Sequence, residues 1–154
     1  MTIRALTLSD LPQAKSIIDD NQMFPSEFLD EMTTGFLESA SDELWYVAES
    51  TEGEVNAVAF CAPERMTEGT WNLLLIAVSK RCQGKGIGSE LIAFIEHILV
   101  KKDARVLLVE TPGLPDYQLT REFYPKCGYK QVAVIPEYYE AGDDKVVFWK
   151  SLTK

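Results

Sequence analysis

The chain has 154 residues, 46% of them hydrophobic and 25% charged, and a net charge of −9 from 15 Lys and Arg against 24 Asp and Glu. That length builds one domain, spanning residues 1–154, with a core that needs neither disulfides nor metal. So few cations exclude nucleic acid as a general partner, because no basic face can be assembled, and the acidic balance suits a cationic acceptor such as an amine.

In chain order, Thr2–Leu6 predicts a first strand, and Ser9-Asp10 predicts the N-cap of a helix over Leu11–Asp20. Pro25-Ser26-Glu27 opens a second helix that reaches Glu38, with Phe28, Leu29, Met32, Phe36 and Leu37 as its apolar face. Leu44–Glu49 and Val55–Cys61 read as a hairpin around the turn Thr51–Glu54. Trp71–Val78 is a strand whose run from Leu73 is apolar at every position, as in a central strand buried on both faces. A helix carrying Ile87, Leu91, Phe94, Ile95 and Ile98 follows, then a strand over Arg105–Glu110. Pro112–Pro115 breaks that strand, Tyr117–Lys126 is a short helix closed by Gly128, and Gln131–Ile135 and Lys145–Lys150 complete the sheet. Trp45, Trp71 and Trp149 fall in strand patterns and are expected in the core, whereas His97 falls off the apolar stripe of its helix and is expected on the surface. The order is β-α-α-β-β-β-α-β-α-β-β, an α/β (α+β) fold with a mixed sheet of about 6–7 strands, antiparallel in its first half.

Cys61, Cys82 and Cys127 are widely spaced with no Cys-x-x-Cys, which predicts reduced thiols rather than a disulfide framework or zinc site. Met1–Ala5 holds no apolar signal core, and no apolar run reaches about 18 residues. The expectation is a cytoplasmic protein without a membrane partner.

The most informative segment is Val78–Ser89, where an apolar strand empties into Gln83-Gly84-Lys85-Gly86-Ile87-Gly88-Ser89 and then a helix. Glycines let backbone approach an anion closely, and the unpaired N–H groups and dipole of a helix's first turn hold it. Lys80, Arg81 and Lys85 make the local field cationic in an otherwise acidic chain. An NTPase phosphate loop needs Gly-Lys-Ser/Thr, but Gly84-Lys85 is followed by Gly86. A dinucleotide loop needs G-x-G-x-x-G, but Gly84-x-Gly86 reaches Ser89. A flexible glycine turn with no ligand is the bland alternative, and the cation cluster argues against it.

Gln83-x-x-Gly86-x-Gly88 after a Leu/Ile/Val strand resembles the acetyl-CoA pyrophosphate loop of the GNAT N-acetyltransferase superfamily. Arg121–Tyr129, with Phe123, Tyr124 and Gly128, resembles the aromatic pair and helix end of the same superfamily, and the element order matches its fold over essentially the whole chain. The resemblance implies acetyl-CoA as cosubstrate, held by the segment Ile76, Ala77 and Val78 on its acetyl and pantetheine portion. It puts Arg81 and Gln83, Gly84, Lys85, Gly86, Ile87, Gly88 and Ser89 on the pyrophosphate, with Phe123 beside Tyr124, and Tyr124 by the thioester sulfur. Tyr138–Lys145 is similar to the segment between the last two strands in small bacterial members. Many relatives carry a pantetheine-binding Asn before the tyrosine, where this chain has Tyr117, Gln118 and Thr120.

Acetyl transfer needs a neutral amine, and deprotonating an alkylammonium of pKa ~10.4 at pH 7 costs roughly 4–5 kcal/mol. Glu110 is the candidate base, alone or through ordered water, with a solvated strand-end carboxylate as its bland alternative. Proton transfer from a phenol to a thiolate is uphill by only about 2 kcal/mol, so Tyr124 is the candidate acid, and a core aromatic otherwise. No metal is needed. The expected enzyme is an acetyl-CoA-dependent N-acetyltransferase acting on a primary amine, either a small molecule or a protein N-terminus. A non-catalytic acyl-CoA-binding module is the alternative, and a homodimer is one assembly the sequence allows.

Overall fold

A computed structural model describes residues 1–153. Its elements are β1 (Thr2–Ala5), α1 (Leu11–Asp20), α2 (Leu29–Leu37), β2 (Leu44–Glu49), β3 (Val55–Pro63), β4 (Thr70–Val78), α3 (Ile87–Lys101), β5 (Val106–Pro112), α4 (Gln118–Lys126), β6 (Lys130–Glu140) and β7 (Asp143–Ser151). This is the expected succession, and the strands form a seven-stranded mixed sheet in the order β1-β2-β3-β4-β5-β7-β6. The chain divides into two compact units, Met1–Ala62 with Leu74–His97, and Pro63–Leu73 with the segment from Ile98 onward. No helix among the described residues is long and apolar enough to cross a membrane.

In the first unit, β1 pairs antiparallel with β2 across the connection that holds α1 and α2, and β2 pairs antiparallel with β3 through a short hairpin turn. Their inward residues Trp45, Val47, Val55, Val58 and Phe60 meet Leu11, Ala14, Ile17 and Ile18 of α1 and Leu29 of α2 in one apolar cluster. Trp45 and Phe60 stack with centroids 4.3 Å apart. Expected contributions at α2 need correction. Phe28 lies in a 3-10 turn ahead of the helix and is 52% exposed, while buried Thr33 satisfies its hydroxyl on the Leu29 carbonyl. Asp10 sits at the N-cap position of α1 without capping it. Its carboxylate instead accepts from the Thr7 N–H and hydroxyl and forms a bidentate pair with Arg4, at 2.7 and 2.9 Å.

In the second unit, β4 pairs parallel with β5 over Thr70–Leu73 and Val106–Val109. Antiparallel ladders β5·β7 and β7·β6 follow. The helix α4 closes as expected: Gly128 has φ +93°, and the Tyr129 N–H donates to the Tyr124 carbonyl. β6 is longer than predicted and every one of its residues is exposed, because β7 alone flanks it. Trp149 of β7 is 37% exposed rather than core, lying opposite Lys130 of the edge strand. His97 is exposed, as expected.

Candidate active site

The glycine-rich segment belongs to the first unit. Beyond Leu73, β4 is not buried on both faces as expected: Leu74 is 50% exposed and Ile76 and Val78 are half-buried, while Leu75 and Ala77 face the core. One apolar lane of β4 is therefore open as it approaches the glycines. A 3-10 turn over Lys80–Cys82 follows, and the Ser79 N–H donates to the Asn56 carbonyl at 2.8 Å.

Gly84 and Gly86 have φ +77° and +83°, a conformation that side chains disfavour, and no heavy atom lies within 4 Å of where a Cβ would stand on either. The Glu90 N–H donates to the Gly86 carbonyl at 3.1 Å, tying the first turn of α3 to the glycine segment. Gly84 and Gly86 thus lead directly into the positive end of a 15-residue helix. This arrangement fits a phosphate-bearing group. Gly88 differs from its neighbours, since it lies inside α3 and has no positive φ.

Two side chains of the segment are directed elsewhere. The guanidinium of Arg81 meets Glu54 at 2.5 Å, which raises its pKa, and it remains mostly exposed. The Gln83 amide turns back, donating to the Val78 carbonyl and to the Asn21 side-chain oxygen, each at 3.1 Å. Lys80 and Lys85 are exposed. Asn21, at the end of α1, was not singled out by sequence. An Asn at a helix end is an ordinary stop signal and says nothing about a partner distant in sequence.

Glu110, Phe123 and Tyr124 belong to the second unit. Glu110 lies within β5 rather than at its end, because the strand continues to Pro112. Its carboxylate is paired with Lys145 Nζ at 3.0 Å, and the ammonium also stands 3.9 Å from the centroid of the Tyr138 ring. Burial disfavours the Lys145 charge, but the Glu110 hydrogen bond and charge, with Tyr138, more than offset it and hold the pKa above its ordinary value. In the sequence Lys145 stands only at the end of the Tyr138–Lys145 segment. A single lysine in a strand pattern gives no sign of its partner across the ladder.

Tyr124 is 2% exposed, with ring centroids of Phe123, Tyr129 and Phe148 at 5.3, 5.9 and 5.4 Å. Burial pushes its phenol well above the ordinary range, so it holds its proton at any physiological pH. Cys127 closes α4 and is half-buried. A cavity of about 700 Å³ in the first unit, lined by Leu6, Leu8, Leu11, Phe36 and Leu37 among others, contains none of the predicted site residues.

Comparison with known proteins bears on these features. The sequence profile of the family described as "Acetyltransferase (GNAT) domain" matches residues 41–131, which include the open part of β4, the glycines, Glu110 and Tyr124. The chain is 29% identical over 153 residues to an uncharacterised N-acetyltransferase of Methanocaldococcus jannaschii, covering 97% of this chain and 91% of that protein. A GNAT-family acetyltransferase structure from Desulfovibrio desulfuricans superposes with a TM-score of 0.89 at 27% identity, covering 99% of each chain. An aminoglycoside 6'-N-acetyltransferase complexed with coenzyme A superposes with a TM-score of 0.80 over 100% of this chain and 98% of that one, its 16% identity making this a likeness of fold. A strand that opens into left-handed glycines and a helix start, in a chain matched by the profile over more than half its length, has one consistent assignment: this protein belongs to the GNAT family of N-acetyltransferases.

Proposed function

We propose that the chain is a single catalytic domain that transfers the acetyl group of acetyl-CoA to a primary amine, on a small molecule or a protein N-terminus. The observation that carries this reading is the pair of left-handed glycines, Gly84 and Gly86, with open space above them and α3 beginning directly after. Backbone N–H groups of Gly84–Ser89 hold the pyrophosphate, and the cations Lys80 and Lys85 add attraction. Arg81 joins them by exchanging Glu54 for phosphate, a step its exposure permits. The segment Ile76, Ala77 and Val78 offers backbone groups to the pantetheine and acetyl portion.

Attack of a neutral amine on the thioester carbonyl forms the C–N bond, and the C–S bond breaks with the thiolate leaving. Glu110 accepts a hydrogen bond from the amine and passes its proton on, directly or through water. Lys145 Nζ, 3.0 Å from one carboxylate oxygen, orients the group. Tyr124, protonated throughout the working range, donates to the leaving sulfur, with Phe123 packed beside it. An acidic chain attracts a cationic acceptor, and we place the enzyme in the cytoplasm. The exposed edge strand β6 supports a homodimer.

The test is release of free thiol from acetyl-CoA across a panel of small amines and N-terminal peptides, beside thermal shifts with coenzyme A, NAD and ATP. At ~100 times its dissociation constant a ligand adds about 2.7 kcal/mol, an easily read shift. Stabilisation by coenzyme A alone, with turnover of at least one amine, is expected. No shift at millimolar coenzyme A would overturn the reading, and a shift without turnover would favour a binding module.

A further inference from the structure

Where β4 ends, Asn21, distant in sequence, closes on two groups of the turn that follows the strand. Asn21 Nδ2 donates to the Ile17 carbonyl at 2.9 Å, within its own helix end, and to the Val78 carbonyl at 3.1 Å. Gln83 Nε2 donates to that same Val78 carbonyl and to Asn21 Oδ1, both at 3.1 Å. Val78 thus uses both lone pairs of one carbonyl, and the network fixes both amides, because turning either would set oxygen against oxygen. Asn21 ends α1, and the next residue, Gln22, reverses the chain with φ +52°. Val78 and Gln83 are the two ends of the turn that leads from β4 into the glycines.

We propose that Asn21 is a positioning residue for the cofactor loop, clamping the exit of β4 and the start of the glycine segment to the end of α1. The inference rests on the reading of that segment as the coenzyme A site. The segment is exposed and its glycines are the most freely moving residue type, so ordering it on a ligand costs conformational entropy. A clamp at its entry orders the turn before the ligand arrives. The glycines have no side chain to supply this, and the Arg81 guanidinium is tied to exposed Glu54 rather than to the backbone at the β4 exit.

Calorimetric titration of the full chain with free coenzyme A, beside steady-state kinetics, tests the clamp. Asn21→Ala and Gln83→Ala are each expected to weaken coenzyme A about tenfold, which is ~1.4 kcal/mol. The KM for acetyl-CoA should rise while kcat changes by less than about twofold. The double variant should bind no worse than the weaker single one, because both remove the same network. A merely structural role would lower the melting temperature and leave the affinity of the folded protein unchanged. Should Asn21→Ala fail to fold, Gln83→Ala breaks the clamp from its exposed side and carries the test. Wild-type affinity in both variants overturns the clamp, while a wild-type chain that takes up no coenzyme A overturns the site reading instead.

Discussion

Lys145 and Glu110 pair diagonally across the β5·β7 ladder: Lys145 stands opposite Pro112, and its ammonium reaches back to the Glu110 carboxylate at 3.0 Å. Both side chains are largely buried, at 10% and 22% exposure, so removing either partner leaves a charge with little water. Lys145→Met is expected to destabilise the fold by about 2 kcal/mol, and adding Glu110→Gln should restore about half of that. Urea denaturation of the two variants measures it. The folded Lys145 pKa is raised, so its contribution is fully present below the unfolded value of about 10.4 and is lost as pH rises through the folded value. The wild type should therefore lose stability relative to Lys145→Met above about pH 10. Glu110→Gln alone should lower kcat with the best amine, whereas unchanged kcat would make the pair structural only.

The three glycines of the cofactor segment should respond differently to alanine. Gly84 and Gly86 have positive φ and empty surroundings, so Gly84→Ala and Gly86→Ala meet backbone strain of about 1–2 kcal/mol rather than a clash. Coenzyme A affinity should fall about tenfold in each, while the melting temperature moves little, because an exposed loop can relax without its ligand. Gly88 is helical, so Gly88→Ala should add up to about 1 kcal/mol to α3. If Gly88→Ala nevertheless weakens coenzyme A, the phosphate lies close to its Cα. Titration of the three variants separates these outcomes.

The periodic pattern made the element order and the glycine turn legible, because both depend on local signals: apolar spacing for the helices and strands, glycine punctuation for the turn. Partner choice was not legible. Asn21 with Val78, Lys145 with Glu110 and Arg81 with Glu54 are each joined by the fold over long stretches of chain. The run of six apolar residues at the end of β4 suggested burial on both faces, yet Leu74, Ile76 and Val78 are open. Apolar content alone cannot tell a covered strand face from one kept open. Asp10 shows the same limit at closer range, since its position reads as a helix cap while its carboxylate serves Arg4 and Thr7.

That carboxylate yields an acid-stability prediction. The Arg4 guanidinium, bonded to both of its oxygens, holds the Asp10 carboxyl below its ordinary range, with help from Thr7. A depressed pKa contributes stability above the unfolded value of about 3.9, which is lost as pH falls through the folded value. Asp10→Asn should cost about 2 kcal/mol at neutral pH, less than a fully buried pair because Arg4 is partly exposed. Its unfolding free energy should then change less steeply below pH ~4 than that of the wild type. Parallel curves in that range would show that other carboxylates set acid stability.

Tyr124 separates packing from catalysis. Its ring is enclosed by Phe123, Tyr129 and Phe148, and those contacts survive replacement by phenylalanine. Tyr124→Phe therefore removes the hydroxyl and keeps the core, with stability expected within about 1 kcal/mol of wild type. If the phenol donates to the leaving thiolate, that interaction exists chiefly in the transition state, so kcat should fall roughly 10²-fold, or nearly 3 kcal/mol, with acetyl-CoA affinity unchanged. Water can replace the donor in part, which leaves a residual rate. The raised phenol pKa also sets a sign: the acid stays protonated to alkaline pH, so wild-type kcat should show no loss from Tyr124 ionisation up to about pH 10. Tyr124→Leu adds the contrast, since it destroys the ring packing and should cost about 2–4 kcal/mol in stability as well as activity. A Tyr124→Phe enzyme with wild-type kcat would assign the side chain to the core and leave protonation of the thiolate to water.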